Sequence, residues 1–187
     1  MALAHKHDMN FYRRLAPMAH GWAIAAADAT EAGWDELRRG VADCREQSII
    51  FFTTSYDVQF AAIKARAGHL DAALAMLDGA LAEAEQTKAR AFVADGHRIR
   101  GEILLKRDPA NTEPAEEAFL AAIAIAQQQK ARSFELRAAL ALAKLYQSSG
   151  RTADARAVLE PALRGFTPTP EFPEIEQAKT LLAALAL

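Results

Sequence analysis

Apolar residues recur along this chain as alternating small and large positions at long, regular intervals. Gly21, Ala61, Gly101 and Ala143 fall 40, 40 and 42 residues apart, and Leu37, Leu77, Phe119 and Leu159 fall 40, 42 and 40 apart. Each of the second set is followed three residues later by a small side chain (Gly40, Ala80, Ala122, Ala162) and preceded four residues earlier by another (Gly33, Ala73, Ala115, Ala155). Spacings of three and four share one helix face, where small positions admit a neighbouring backbone and the large one fills the wedge. A self-similar period of this size marks a chain of stacked supersecondary units. Turn signals stand between paired helices: Ala67-Gly68-His69, Asp108-Pro109-Ala110-Asn111 and Ser149-Gly150-Arg151. The pattern predicts first helices near 10–27, 52–67, 90–106 and 133–148, and second helices near 31–46, 70–87, 113–129 and 152–164. Ile49-Ile50-Phe51-Phe52 is the one run with β character, and it reads as a short buried connection or a helix start.

The expected architecture is all-α. It is a solenoid of about four helical hairpins, near 10–47, 52–88, 90–130 and 133–165, in a single domain spanning 1–187. After the break at Gly165-Phe166-Thr167-Pro168-Thr169-Pro170, a helix within about 171–187 is expected to cover the last apolar face as a cap. At the other end, Ala2-Leu3-Ala4 matches Ala80-Leu81-Ala82 and Ala122-Ile123-Ala124 in register, so residues 1–9 read as the tail of a partial repeat. On that reading the chain is cut from a longer protein. Its N-terminal end, with no preceding hairpin to pack on, is expected to self-associate.

Small–x3–large–x2–small resembles the second helix of a tetratricopeptide hairpin, although the period near 40 exceeds the 34 residues of that repeat. His97-Arg98-Ile99-Arg100-Gly101-Glu102-Ile103-Leu104-Leu105, the run from Phe119 to Ala126, and Ser133 through Ala139 resemble the C-terminal repeat regions of bacterial multidomain regulators. Those proteins join a class III adenylate/guanylate cyclase domain, or another output domain, to a P-loop ATPase and a tetratricopeptide tract. The Gly165-Phe166-Thr167 turn and the closing Gln177-Ala178-Lys179-Thr180-Leu181-Leu182 resemble their ending. The likeness is strongest from about residue 90 onward and loose around 45–60. It implies a module of a signalling or transcriptional regulator that holds or senses a partner. It carries no activity over, because the sequence contains neither a phosphate-binding loop nor a cyclase domain.

Composition and chemistry agree with a binding role. The 187 residues are 51% apolar but only 7% aromatic, and a formal charge of −2 gives no electrostatic reason to expect nucleic acid. No apolar run is long enough to span a membrane, and the N-terminus lacks the apolar core of a signal peptide, so a cytoplasmic protein is expected. Cys44 is the lone cysteine, placed where a small packing residue is needed. His5 and His7 are two apart, which sets them on opposite sides of a helix, and His20, His69 and His97 stand isolated. Glu116-Glu117 and the pair Glu83 and Glu85 read as solvated helix faces. No cofactor, metal site or catalytic residue is expected, so the chain reads as a non-enzyme.

Stacked hairpins line a concave surface with their first helices. Counting three or four residues from the register position places Trp22, Arg66, Arg98, Glu102, Arg137 and Lys144 on that wall. An aromatic ring beside several cations suits a protein or peptide partner of acidic character, or a carboxyl terminus. Arg98 and Arg137 have a competing role in ion pairs with Glu102 or Glu135, and Trp22 has one in the core. Trp34 reads as a staple-like contact at the start of a second helix. A small-molecule effector in a deep polar pocket is the alternative occupant.

Overall fold

A computed structural model describes residues 10–28, 31–46 and 50–186, the side chains of 10–15, 25–26, 28, 31–32 and 50–52 excepted. Regular structure among the described residues is helical throughout. Nine α-helices follow one another: α1 Asn10–Asp28, α2 Glu31–Glu46, α3 Ile50–Arg66, α4 Leu70–Thr87, α5 Val93–Arg107, α6 Glu113–Gln128, α7 Arg132–Ser148, α8 Thr152–Leu163 and α9 Glu174–Ala184. A 3-10 turn, Arg90–Phe92, precedes α5, so that helix starts later than its apolar pattern suggested. α9 also starts later, at Glu174 with Pro173 as its N-cap, because the proline ring disfavours the helical conformation at Phe172 before it. Ile50-Phe51-Phe52 opens α3 as a helix start. Residues 1–9, on which the partial repeat and the N-terminal association rest, lie outside the described residues.

The chain separates into two compact units, Met1–Phe92 and Val93–Leu187. In the first, α1 packs on α2 and α3 on α4, and α3 also touches α1 and α2. Their core gathers Met18, Trp34, Leu37, Val41, Cys44, Phe60 and Ile63. In the second, α5 pairs with α6 and α7 with α8; α7 also touches α5 and α6, and α9 lies on α7 and α8. One core runs through Phe119, Leu136, Leu140, Leu159, Ile175 and Leu181.

All four small-and-large series of the sequence pattern, from Gly21 to Ala162, are buried. Leu37, Leu77 and Leu159 are fully excluded from water and Phe119 nearly so, each side chain contributing about 1.5–3 kcal/mol of burial. Two of the turns close as their glycines require. Gly68 and Gly150 take φ of +94° and +74°, and the next residues donate back across the helix end, His69 N–H to Lys64 O at 3.0 Å and Arg151 N–H to Tyr146 O at 2.8 Å. Among the described residues no helix is long and apolar enough to cross a membrane.

Candidate functional site

Within the second unit, α5, α7 and α9 wall a cavity of about 630 Å³ that also reaches Pro109 and Thr112 in the α5–α6 connection. Leu105, Leu140, Leu145 and Phe119 give it an apolar floor. Four of the six residues singled out from sequence line it: Arg98, Glu102, Arg137 and Lys144. The three cations face two lining carboxylates, Glu102 and Glu174.

The cations differ in how firmly they are held. Arg98 donates from Nε to Asp95 at 2.8 Å and from Nη1 to Glu102 at 2.6 Å, both within α5. Burial alone would lower its pKa, but the two carboxylates outweigh that cost and raise it. Asp95 is itself buried, at 2% exposure, so this pair belongs to the interior. Arg137 donates from Nε to Glu174 Oε1 at 2.8 Å, and its guanidinium carbon lies 5.2 Å from the centre of the Phe172 ring. Among the described residues its two terminal NH₂ groups make no hydrogen bond. Lys144 donates to Gln177 Oε1 at 3.1 Å, a neutral acceptor that engages one of its three N–H groups. The Oε2 atom of Glu174 is buried with no hydrogen-bond partner.

Glu174 and Gln177 were missed by sequence reasoning, which gave α9 only a capping role. They sit three residues apart on α9, flanking the buried stripe of Ile175, Ala178 and Leu181. Docking that stripe on α7 and α8 brings their polar edge to Arg137 and Lys144. The signal lay in that edge, read against the stripe.

Trp22 and Arg66 belong to the first unit. Trp22 is 38% exposed, which removes it from the core, and with Ser55, Tyr56 and Gln59 it borders a smaller cavity of about 260 Å³. Arg66 is exposed in the last turn of α3 and lines neither cavity. The core tryptophan is Trp34, 4% exposed inside α2, with Lys64 Nζ 4.4 Å from its ring centre and His69 edge-on at 5.4 Å. It is a full core residue rather than a staple at the helix entry.

Two carboxylates read as solvated are in fact half-buried and paired. Glu116 accepts from Tyr146 Oη at 2.7 Å and from Arg151 at 2.8 and 3.0 Å, tying α6 to the start of α8. Glu83 accepts from Arg45 Nε at 3.0 Å across helices α2 and α4. Glu85 and Glu117 are exposed, since they point a further 100–200° around their helices. Among the described residues no three His, Cys, Asp or Glu side chains gather closely enough to hold a metal ion.

No protein-family model matches this chain, and neither does any curated protein or solved structure.

Proposed function

We propose that the second unit is a non-catalytic binding module of the tetratricopeptide type, its cavity taking an acidic peptide segment of a partner protein, in the service of a signalling or transcriptional regulator. The repeat pattern and the likeness of residues 90 onward to regulator tracts support the architecture and setting. One observation carries the ligand class: Arg137 and Lys144 line the same cavity with donors to spare. Seven residues apart on α7, they are separated by two turns, about 10 Å along the helix. An extended peptide advances about 3.3 Å per residue, so carboxylates about three residues apart reach both cations. Leu105, Leu140 and Leu145 offer apolar contact between them.

A small-molecule effector bearing two carboxylates is the second reading, favoured by a cavity of about 630 Å³, which falls in the range of small-ligand sites. Fluorescence anisotropy with a labelled hexaglutamate peptide tests the first. Binding should occur, should fail for hexalysine, and should be lost in the Arg137→Glu/Lys144→Glu double variant with helicity by circular dichroism unchanged. Undiminished binding by that variant would retire the site. Citrate binding more tightly than the peptide would transfer the cavity to the effector reading.

A further inference from the structure

We propose that Glu174 is a built-in competitor for the cavity, holding Arg137 until an incoming carboxylate displaces it. This rests on the acidic-ligand reading above and adds to it a means of regulation. Arginine and carboxylate pair best through two parallel hydrogen bonds. Glu174 makes only one, from Arg137 Nε to Oε1 at 2.8 Å. Its other oxygen is buried without a partner, a state that disfavours the contact because a desolvated acceptor receives nothing in return. Glu174 uses only the Nε corner of an edge, Nε with its neighbouring NH₂, that holds a well-placed carboxylate through two bonds, so it stands where a better partner would sit.

Displacement is therefore an exchange of a poor pair for a good one. The arriving carboxylate takes the Nε–H and an N–H of the neighbouring NH₂, and Glu174 Oε2 regains water. Glu174 is the first residue of α9, so its side chain can swing outward without breaking the helix. Phe172 remains stacked against the guanidinium at 5.2 Å, which keeps the plane of Arg137 in place while its partner changes. Gln177 plays the weaker counterpart at Lys144, a neutral acceptor at 3.1 Å. Both cations of α7 thus meet an oxygen from α9 at rest. A ligand with a single charge gains too little to replace both, whereas a ligand with two anionic groups replaces them together. Resting occupancy by α9 makes the site selective for paired charge.

The test compares Glu174→Gln with Glu102→Gln, binding labelled hexaglutamate to the full chain at fixed salt. Each variant removes one negative charge from the cavity lining, but Glu102 holds Arg98 rather than Arg137. Glu174→Gln should tighten binding about threefold or more, and Glu102→Gln clearly less. Glu174→Ala, which deletes the side chain, should tighten it too. Equal gains from the two glutamine variants would mean that only net charge matters and would overturn the proposal. Weaker binding by Glu174→Gln would make Glu174 a ligand contact and overturn it as well. Binding seen only after Glu174 is replaced would support it strongly. Absence of binding by the wild type and every variant would dismiss the acidic-ligand reading itself and the competitor with it.

Discussion

A Cβ placed on Gly101 would lie 2.5 Å from Cε1 of Phe119, a separation carbon atoms do not tolerate, so the glycine of α5 is the seat for the ring of α6. At the matching sequence positions two of the other hairpins carry Ala61 with Leu77 and Ala143 with Leu159. Volume has moved from one member of the pair to the other. Gly21 answers a different need, because a Cβ there would meet the backbone nitrogen of Leu37 at 2.3 Å. One small position thus serves a side chain in one hairpin and a close backbone approach in another.

Gly101→Ala should destabilise the second unit by about 1–3 kcal/mol through overpacking. Phe119→Ala should cost about 3–5 kcal/mol as a cavity-forming change. The pairing itself is read from Gly101→Ala combined with Phe119→Leu, which restores the Ala/Leu combination found in two of the other hairpins. Urea titrations of the two singles and the double should give a favourable coupling above about 0.5 kcal/mol. Strict additivity would show that the two residues do not share the space.

The α8 terminus carries a second test. Arg132, the first residue of α7, donates to the carbonyls of Ala162 at 3.0 Å and Arg164 at 2.9 Å, while its guanidinium carbon lies 5.7 Å from the ring centre of Phe166. Those carbonyls have no partner within the helix, so one planar side chain supplies what α8 cannot. The other NH₂ of Arg132 pairs with the buried carboxylate of Glu135, so Arg132→Ala should cost about 3 kcal/mol or more in chemical unfolding, and Arg132→Lys should recover less than half, because an ammonium cannot reach carboxylate and carbonyls at once. Full recovery by lysine would show that charge alone matters there.

Helices and core were legible because they follow from local spacing. Trp34, Leu37, Val41 and Cys44 recur at three-, four- and three-residue steps, and all are buried. That stripe also marked Trp34 as core, a signal passed over when it was read as a staple. Trp22 follows buried Gly21 by one residue and so turns about 100° from the packed face. The partners of Arg137 and Lys144 were not legible, because Glu174 and Gln177 reach them only once α9 docks in one orientation. Local periodicity shows which face of a helix is apolar; it does not show which neighbour that face meets.

Asp57 on α3 makes a pH-dependent prediction. It is paired with Arg45 of α2, which also holds Glu83 of α4. The hydrogen bond to Glu83 outweighs partial burial at Arg45 and raises its pKa, because the guanidinium sits between two carboxylates. At the more deeply buried Asp57 desolvation wins over the attraction of Arg45, and Glu83 adds repulsion, so its pKa lies above the ordinary 3.8. The folded state then binds the proton more tightly than the unfolded state. This group's contribution to stability therefore falls as pH rises from the ordinary value through the raised one. Asp57→Asn should compare better with the wild type at pH 7 than at pH 4 in urea unfolding. A wild type that gains on the variant over that interval would reverse the sign and refute the desolvation argument.

Cations lining one cavity need not share one role, and Arg98 and Lys144 should separate cleanly. Arg98 is 17% exposed and bonded to Asp95, which is 2% exposed, so its charge neutralises a carboxylate inside the unit. Arg98→Glu would set two carboxylates against each other there, and the loss of a buried pair costs about 3 kcal/mol or more. Lys144 is exposed, and among the described residues its one hydrogen bond goes to the side-chain amide of Gln177, so Lys144→Glu leaves no buried charge behind. In thermal unfolding the first variant should melt several degrees lower and the second within about a degree of the wild type. In hexaglutamate binding the order should invert: Lys144→Glu loses affinity while folded, and Arg98→Gln, which keeps hydrogen-bond donors without the charge, retains most of it. Arg98 then belongs to the scaffold, with Arg137 and Lys144 left as the ligand-facing pair. A stable Arg98→Glu variant that fails to bind would instead place Arg98 among the groups that meet the ligand.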